Sequence, residues 1–232
     1  MIVQIYSLTN ADDVRMLVEL GVDTIGLAPA GQGVPAEVQP EDARELFALM
    51  PPPVLGSALT VLTDLEAIAA MVAIAKPPIL HICCGTDELS VVDQVRLRGM
   101  IPEGTLIMKA IEVGGPETYD AAVAAAERYA PVSDYLLLDT ATPDVPGIGA
   151  AGKVHDWDVS ARIVERVGDA APVILAGGLG PDNVAAAIAH VRPAGVDSFT
   201  LTNQPGNGRR KDRQQVAAFV AEARRAAAAL GL

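Results

Sequence analysis

Short apolar segments alternate with longer amphipathic or alanine-rich segments along the whole chain. The short segments are rich in β-branched residues, which is typical of buried strands, whereas the longer ones repeat their apolar positions at helical spacing. The predicted strands cover Ile2–Tyr6, Asp23–Leu27, Pro53–Val61, Ile79–Cys83, Thr105–Ile111, Ser133–Asp139, Pro172–Leu175 and Gly195–Leu201. The predicted helices cover Ala11–Leu20, Pro40–Met50, Leu65–Ala75, Glu88–Arg98, Glu117–Tyr129, Trp157–Val167, a segment opened by Pro181-Asp182-Asn183, and Asp212–Leu230.

These segments form a series of strand–helix pairs with no linker or low-complexity stretch between them. Strict alternation predicts a parallel sheet. Eight pairs in 232 residues predict an α/β fold, a closed (β/α)8 TIM barrel that forms one domain over residues 1–232. An open, doubly wound sheet is the competing architecture. In a barrel, functional side chains lie where the strands end and the following loops begin.

One strand end has the pattern of an anion site. The run Pro172–Leu175 is apolar, Gly177 and Gly178 follow it, and Pro181-Asp182-Asn183 opens an alanine-rich helix. Glycine allows backbone angles and close approaches that other residues do not, and the first amides of a helix have no internal partner. The pattern favours a phosphate cradle, and a plain strand-to-helix turn is the alternative.

Charge and cysteine content narrow the possible partners. Asp and Glu number 29 against 17 Lys and Arg, a formal net charge of −12, which argues against binding to nucleic acid or anionic membranes. The two cysteines, Cys83 and Cys84, are adjacent and poorly suited to a structural disulfide, as expected of a reduced, cytoplasmic protein. No apolar run reaches the ~18 residues of a membrane span, and we expect no signal peptide.

Several motifs resemble those of the phosphoribosylanthranilate isomerases, a barrel family of tryptophan synthesis. They are Ser7–Val14, Gly21–Leu27, Ile107–Gly114, LLLDT at Leu136–Thr140, GKVHDW at Gly152–Trp157, LAGGLGPDNV at Leu175–Val184, Gly195–Thr202 and Lys211-Asp212. The resemblance runs in order from end to end. It implies a TIM barrel, an isomerase of a phosphorylated substrate, a general acid at Asp139 and a role for the glycines of the seventh loop.

Some positions depart from the family's pattern. The family's first strand reads K-x-C-G-L-T with the cysteine as general base, whereas here Gln4 and Tyr6 replace the lysine and the cysteine. Ala36 stands where the family has an arginine taken to hold the anthranilate carboxylate. The fourth strand ends HICCGTDE, with one residue more than the usual L-H-G-D-E. These departures favour a substrate other than phosphoribosylanthranilate itself.

Asp139 is also the leading catalytic candidate by position. It ends an apolar strand, so burial at the barrel mouth is expected to raise its pKa and make it an acid near neutral pH. A loop-capping role is the alternative. The sequence leaves the general base open. Tyr6 could serve only with a lowered pKa, and its alternative is a ring packed in the barrel mouth. Cys83 could serve only with a stabilised thiolate, and its alternative is a small buried apolar residue.

Other candidates concern substrate binding. His81 lies two residues before Cys83 in the same strand, so the two side chains are expected to share a face. Two ligand types from one strand are too few to hold a metal ion, and we predict no metal and no cofactor. For the phosphate, we expect backbone amides at Gly177, Gly178 and from Thr200 to Thr202 to serve. Lys109 is a candidate for substrate binding or for a Schiff base, with a charge-paired structural lysine as the alternative.

The remaining basic cluster is Arg209, Arg210 and Lys211, for which a solvated helix start and a nearby anion are both open interpretations. The leading functional hypothesis is an aldose–ketose (Amadori-type) isomerase of a small phosphorylated sugar or sugar-amine, with Asp139 as acid, in a monomer or homodimer. The alternatives are a non-catalytic barrel that binds a phosphorylated ligand, and a lyase or aldolase that uses Lys109.

Overall fold

The alternating segments close into a ring of parallel strands in the computed structural model, which describes residues 1–29, 31–140, 147–148 and 154–232. In chain order the elements are β1 (Ile2–Ile5), α1 (Ala11–Glu19), β2 (Thr24–Pro29), β3 (Glu37–Val38), α2 (Pro40–Phe47), β4 (Leu55–Thr60), α3 (Leu65–Ala75), β5 (Ile79–Ile82), α4 (Val91–Arg98), β6 (Leu106–Glu112), α5 (Tyr119–Tyr129), β7 (Tyr135–Asp139), α6 (Trp157–Val167), β8 (Val173–Leu175), α7 (Val184–Val191), β9 (Gly195–Ser198), β10 (Asn203–Gln204), β11 (Asn207–Lys211) and α8 (Arg213–Leu230).

The strand order confirms the predicted barrel. The sheet runs β1-β9-β8-β7-β6-β5-β4-β2, and β1 also pairs with β2, so that eight strands of the described residues form a closed ring without an edge. Every pairing within the ring is parallel. The open, doubly wound sheet is therefore excluded, and the carboxyl ends of all eight strands meet at one rim.

Strand alternation divides the apolar side chains into two layers. One layer lies between the strands and the surrounding helices and holds most of the buried apolar residues. The other lies inside the barrel, where Ile79, Met108, Leu137 and Ile174 pack below the rim. Because inward and outward residues alternate, the parity of a residue in its strand decides whether it can reach a ligand at the barrel mouth.

Several helices begin where a side chain accepts a hydrogen bond from a free backbone amide, as capping predicts. Asn10, Asp64, Ser90, Asp156 and Asp212 do so for α1, α3, α4, α6 and α8. The last helix begins directly after its cap Asp212, within one residue of the predicted start. No helix among the described residues is long and apolar enough to cross a membrane.

The sequence pattern missed a hairpin between β9 and α8. Strands β10 and β11 pair antiparallel. Arg210 and Lys211 therefore belong to a strand, β11, and not to a solvated helix start. The Arg210 guanidinium lies 3.2 Å from the carboxylate of the buried Asp13, whereas the side chain of Arg209 lies outside the described residues. Residues 152–153 of the GKVHDW motif lie outside them as well.

Candidate active site

Two carboxyl groups, at the ends of β7 and β9, line the same pocket at the rim of the barrel. Asp139 accepts a hydrogen bond of 2.7 Å from the Thr140 amide, whereas Asp197 Oδ1 has no partner among the described residues. Burial raises the pKa of Asp139 to about 7. Burial, followed by repulsion from Asp139, raises the pKa of Asp197 to about 8. The pair therefore retains protons near neutral pH, as a general acid requires.

The sequence analysis missed Asp197, although this residue lies within Gly195–Thr202, one of the segments that resemble the family. Strand parity gives the reason for its placement: it lies opposite Gln4 of β1 in the sheet register, and both side chains point into the barrel. The Gln4 side chain partly offsets the rise in the pKa of Asp197. A carboxyl residue at an inward position near the end of a barrel strand is the signal that could have identified it.

The glycine loop after β8 forms the expected hollow. Gly177 and Gly178 have φ values of +82° and +60°, a region that favours glycine. Asn183 holds the loop from both sides, since its amide nitrogen donates to the Gly178 carbonyl at 2.9 Å and its oxygen accepts from the Gly180 amide at 2.8 Å. Within the described residues the Gly177 and Gly178 amides donate to no protein group, which leaves them available to an anion.

The loop after β9 supplies the other wall of this hollow. Thr200 lines it together with Asp139, Gly177 and Gly178. Thr202 does not, and its predicted direct contact with phosphate is wrong, because its amide and hydroxyl both turn back to the Phe199 carbonyl, at 3.4 and 3.0 Å. The anion hollow and the Asp139 carboxyl group therefore share one rim of the barrel.

Lys211 supports this second wall from below. Its ammonium donates to the Phe199 carbonyl at 3.0 Å and to Asn203 Oδ1 at 2.7 Å. Only 2% of Lys211 is exposed, and burial lowers its pKa to about 7, although the nearby carboxylates of Asp197 and Asp13 oppose this change. The buried ammonium thus holds the Thr200–Thr202 turn in place, a role that the basic pattern alone did not reveal.

Tyr6 and His81 meet inside the same pocket. The Tyr6 ring fills the space beside Gly26, where a Cβ atom would lie 2.3 Å from the ring, and its hydroxyl lies 2.8 Å from His81 Nδ1. Burial raises the pKa of Tyr6 well above its ordinary value and lowers that of His81 to about 3. The condition set for Tyr6 as a base, a lowered pKa, is therefore not met.

Cys83 shares the inward face with His81, as the parity argument predicts. Its sulfur lies 3.2 Å from His81 Nε2, while Cys84 packs in the outer apolar layer. Burial raises the pKa of the Cys83 thiol, and the effect is strengthened by Asp139 and only partly opposed by Lys109. A free-standing thiolate is therefore disfavoured at this position.

Lys109 lies outside the pocket, which corrects its prediction as a substrate-binding or Schiff-base residue. Its neighbours in β6, Met108 and Ala110, point into the barrel, so Lys109 points outward. It is fully buried, donates to the Cys84 carbonyl, and lies 5.6 Å from the centre of the Tyr129 ring. No carbonyl substrate at the barrel mouth reaches this ammonium, and the aldolase alternative loses its nucleophile.

The wall of the pocket around Cys83 is mostly apolar. Val34, Pro35, Leu59, Val61 and Ile148 line it, opposite the polar groups. Among the described residues, no group of three or more His, Cys, Asp or Glu side chains is placed to hold a metal ion. The arrangement therefore combines an anion hollow, a protonated carboxyl pair and an apolar wall.

Comparison with known proteins gives the same fold and the same family. The model of the N-(5'-phosphoribosyl)anthranilate isomerase family matches residues 93–222. The isomerase of that name from Haloferax volcanii is 34% identical, covering 98% of this chain and 95% of its own length. The chain belongs to the phosphoribosylanthranilate isomerase family.

Other members of the family agree in sequence and structure. The isomerase of Desulforudis audaxviator is 34% identical, covering 97% of this chain and 98% of its own. The crystal structure of the Thermotoga maritima isomerase superposes with a TM-score of 0.75 at 27% identity, covering 97% of this chain and 99% of that one. Another structure of such an isomerase, at a TM-score of 0.73 and 25% identity over the same shares, holds reduced 1-(o-carboxyphenylamino)-1-deoxyribulose 5-phosphate.

Proposed function

We propose that the chain isomerises a phosphorylated ribosylamine to the corresponding aminoketose, with Asp139 as the general acid. The observation that carries the proposal is the shared rim, where the buried Asp197 and the half-buried Asp139, with pKa values of about 8 and about 7, border the glycine hollow. A phosphate in the hollow brings the sugar ring of the same molecule next to the carboxyl pair. Perturbed carboxyl groups in such a cleft are typical of acid–base sites.

The glycine hollow is the proposed phosphate site. The amides of Gly177 and Gly178, which donate to no protein group within the described part of the chain, line a concave site beside Thr200, and phosphate oxygens bind well to such backbone donors. The seventh and eighth loops of barrels commonly hold this group. Interactions with the phosphate, which takes no part in the reaction, would then position the reacting carbons of the same molecule.

The carboxyl pair supplies the proton for ring opening. Asp139 gives its proton to the ring oxygen, the bond between that oxygen and C1 breaks, and the nitrogen lone pair forms the C1=N bond. The charge that Asp139 then carries raises the pKa of Asp197 further, so Asp197 keeps its own proton beside it, since two neighbouring carboxylates repel each other. The next step, removal of the C2 proton, needs a base.

Phosphoribosylanthranilate is the substrate with which we propose to test the activity. The sequence departures at Tyr6 and Ala36 favoured a different substrate, but the comparisons give that exclusion no support, because proteins named for this isomerase match nearly the whole chain. The apolar wall around Ile148 offers a surface of suitable chemistry for an aromatic ring.

Turnover of phosphoribosylanthranilate by the purified protein tests the proposal. We expect conversion to the aminoketose, rescue of a tryptophan auxotroph, and loss of both in Asp139→Asn, whereas Asp169→Asn, which alters an exposed carboxylate after α6, should behave as the wild type. Tight binding of the reduced product analogue with no turnover would contradict the enzyme and support a phosphate-ligand-binding barrel instead.

A further inference from the structure

A string of hydrogen bonds inside the pocket has no part in the steps described so far. Cys83 Sγ lies 3.2 Å from His81 Nε2, His81 Nδ1 lies 2.8 Å from the Tyr6 hydroxyl, and that hydroxyl lies 2.6 Å from Ser57 Oγ. These four side chains come from three strands or their ends, Tyr6 from β1, Ser57 from β4, and His81 and Cys83 from β5, and none is more than 4% exposed. Buried polar side chains that are linked so completely are positioned with little freedom.

We propose that Cys83, with His81 as its proton acceptor, is the general base that removes the C2 proton in the reaction proposed above. The inference rests on that proposed function. It moves the base from the first strand, where Tyr6 stands, to the end of β5. A thiol in contact with an imidazole that is itself held by a third group is the usual arrangement of an activated cysteine.

The other members of the string hold His81 in the orientation that this role needs. When the Cys83 thiol donates to Nε2, Nδ1 carries the ring proton and donates to the Tyr6 oxygen, and the Tyr6 hydroxyl donates to Ser57 Oγ. Every polar atom then has a partner, and Nε2 is the ring nitrogen that accepts the proton from sulfur. Tyr6 and Ser57 are therefore positioning residues, which also explains why a bulky phenol occupies the barrel mouth.

The proton transfer balances with the acid step. The C2–H bond breaks and its proton goes to Cys83 Sγ as the thiol proton passes to His81 Nε2, while the C2 electron pair forms the C1=C2 bond and the former C=N electrons return to nitrogen. Cys83 then gives a proton to C1 and regains one from His81. Asp139, ionised by the ring opening, takes the proton of the C2 hydroxyl as the ketone forms, and both groups return to their initial states.

The electrostatics of the pocket keep both groups neutral until the acid has acted. Burial favours a neutral thiol and a neutral imidazole in the resting protein, so no ion pair needs to be stored. After Asp139 has given up its proton, its carboxylate lies in the same pocket as the imidazolium that forms on His81. The other groups that act on the thiol are Asp197 within the pocket and Cys84 and Lys109 behind the strand. Lys109 also lowers the pKa of His81.

A cover over Cys83 keeps water away from the thiol. The Ile148 amide donates to the Cys83 carbonyl at 2.7 Å, and the Ile148 side chain packs with Cys83 and Ala110, with Leu59 and Val61 around them. Exclusion of water strengthens the electrostatic effect of the nearby carboxylate.

The adjacent cysteines allow a matched test. Cys83→Ala should lower kcat for phosphoribosylanthranilate by about 100-fold, the scale of a general base, and should leave the affinity for the reduced product analogue unchanged in calorimetry. Cys84→Ala, which changes the same residue type on the outward face, should keep the wild-type kcat. His81→Gln should lose as much as Cys83→Ala, and the double variant no more, because the two residues act as one unit.

The outcomes separate this inference from the function on which it rests. A wild-type protein and Cys84→Ala that bind the analogue without turnover would overturn the proposed function itself. Turnover by the wild type together with wild-type kcat in Cys83→Ala would overturn only the role of Cys83. Cys83→Ser keeps the packing and a contact to His81; if both Cys83 variants lost analogue affinity with kcat intact, Cys83 would be a packing residue and the inference would fail.

Discussion

Asp139→Asn should remove activity and raise stability at the same time. The pKa of Asp139 is raised from 3.8 to about 7, because burial disfavours the charged form more than the Thr140 amide favours it. Between these two values the folded chain therefore holds a proton that the unfolded chain has released. The free energy of unfolding of the wild type consequently falls as the pH rises from about 4 to about 7.

The size of the effect follows from the raised pKa. The gap between 3.8 and about 7 corresponds to roughly 4 kcal/mol at 1.36 kcal/mol for each pH unit. Asp139 is partly accessible through the pocket mouth, so screening by solvent reduces the figure, and we expect about 2 kcal/mol at pH 8. Asparagine keeps the oxygen that accepts the Thr140 amide at 2.7 Å, and its neutrality also relieves the repulsion on Asp197.

Urea unfolding of the wild type and the variant at several pH values measures this effect. The gain in the variant should be largest at pH 8 and shrink towards zero as the pH falls to about 4. Asp169→Asn, on an exposed carboxylate, should show no such trend. A gain for Asp139→Asn that is equal at all pH values would refute the desolvation of this carboxyl group, and a wild-type isomerisation rate in the variant would refute its role as the acid.

Three further predictions concern the hollow, the buried lysine and the acid. Gly177→Ala puts a Cβ atom 2.8 Å from His155 Nδ1 at φ +82°, so affinity for the reduced analogue should drop by about tenfold; Gly206→Ala, with φ +73° and open space, is the calorimetric control. Borohydride with a phosphorylated ketose should trap no adduct on the wild-type protein; an adduct at Lys109 would contradict its outward placement. In a pH–rate profile, kcat/KM should fall as the pH rises above about 7, where Asp139 loses its proton; a rise there would exclude it as the acid.

The architecture and the placement of Asp139 at the rim could be predicted from the sequence because both follow from local patterns. Alternating segments set the strand count, and the end of the apolar run YLLLD sets the position of Asp139 at the rim. The glycine hollow was predictable for the same reason, since Gly177 and Gly178 follow a strand directly. Behind this loop, His155 lies between Thr140 Oγ1 at 3.1 Å and Ser160 Oγ at 2.8 Å.

The errors come from non-local contacts and from strand parity. Lys109 was placed in the pocket although Met108 and Ala110 take the inward positions, and the alternation rule that separated Cys83 from Cys84 would have excluded it. The hairpin that buries Lys211 has no apolar alternation to reveal it. The pairing of Asp197 with Asp139 depends on ring closure, which no single segment of sequence contains.

A crystal structure of the protein with reduced 1-(o-carboxyphenylamino)-1-deoxyribulose 5-phosphate tests the common rim of acid and anion site most directly. We expect the phosphate against the Gly177 and Gly178 amides, the sugar chain beside Asp139, and its C2 carbon turned towards Cys83. A phosphate bound elsewhere, or a sugar chain out of reach of Asp139, would contradict the proposed site.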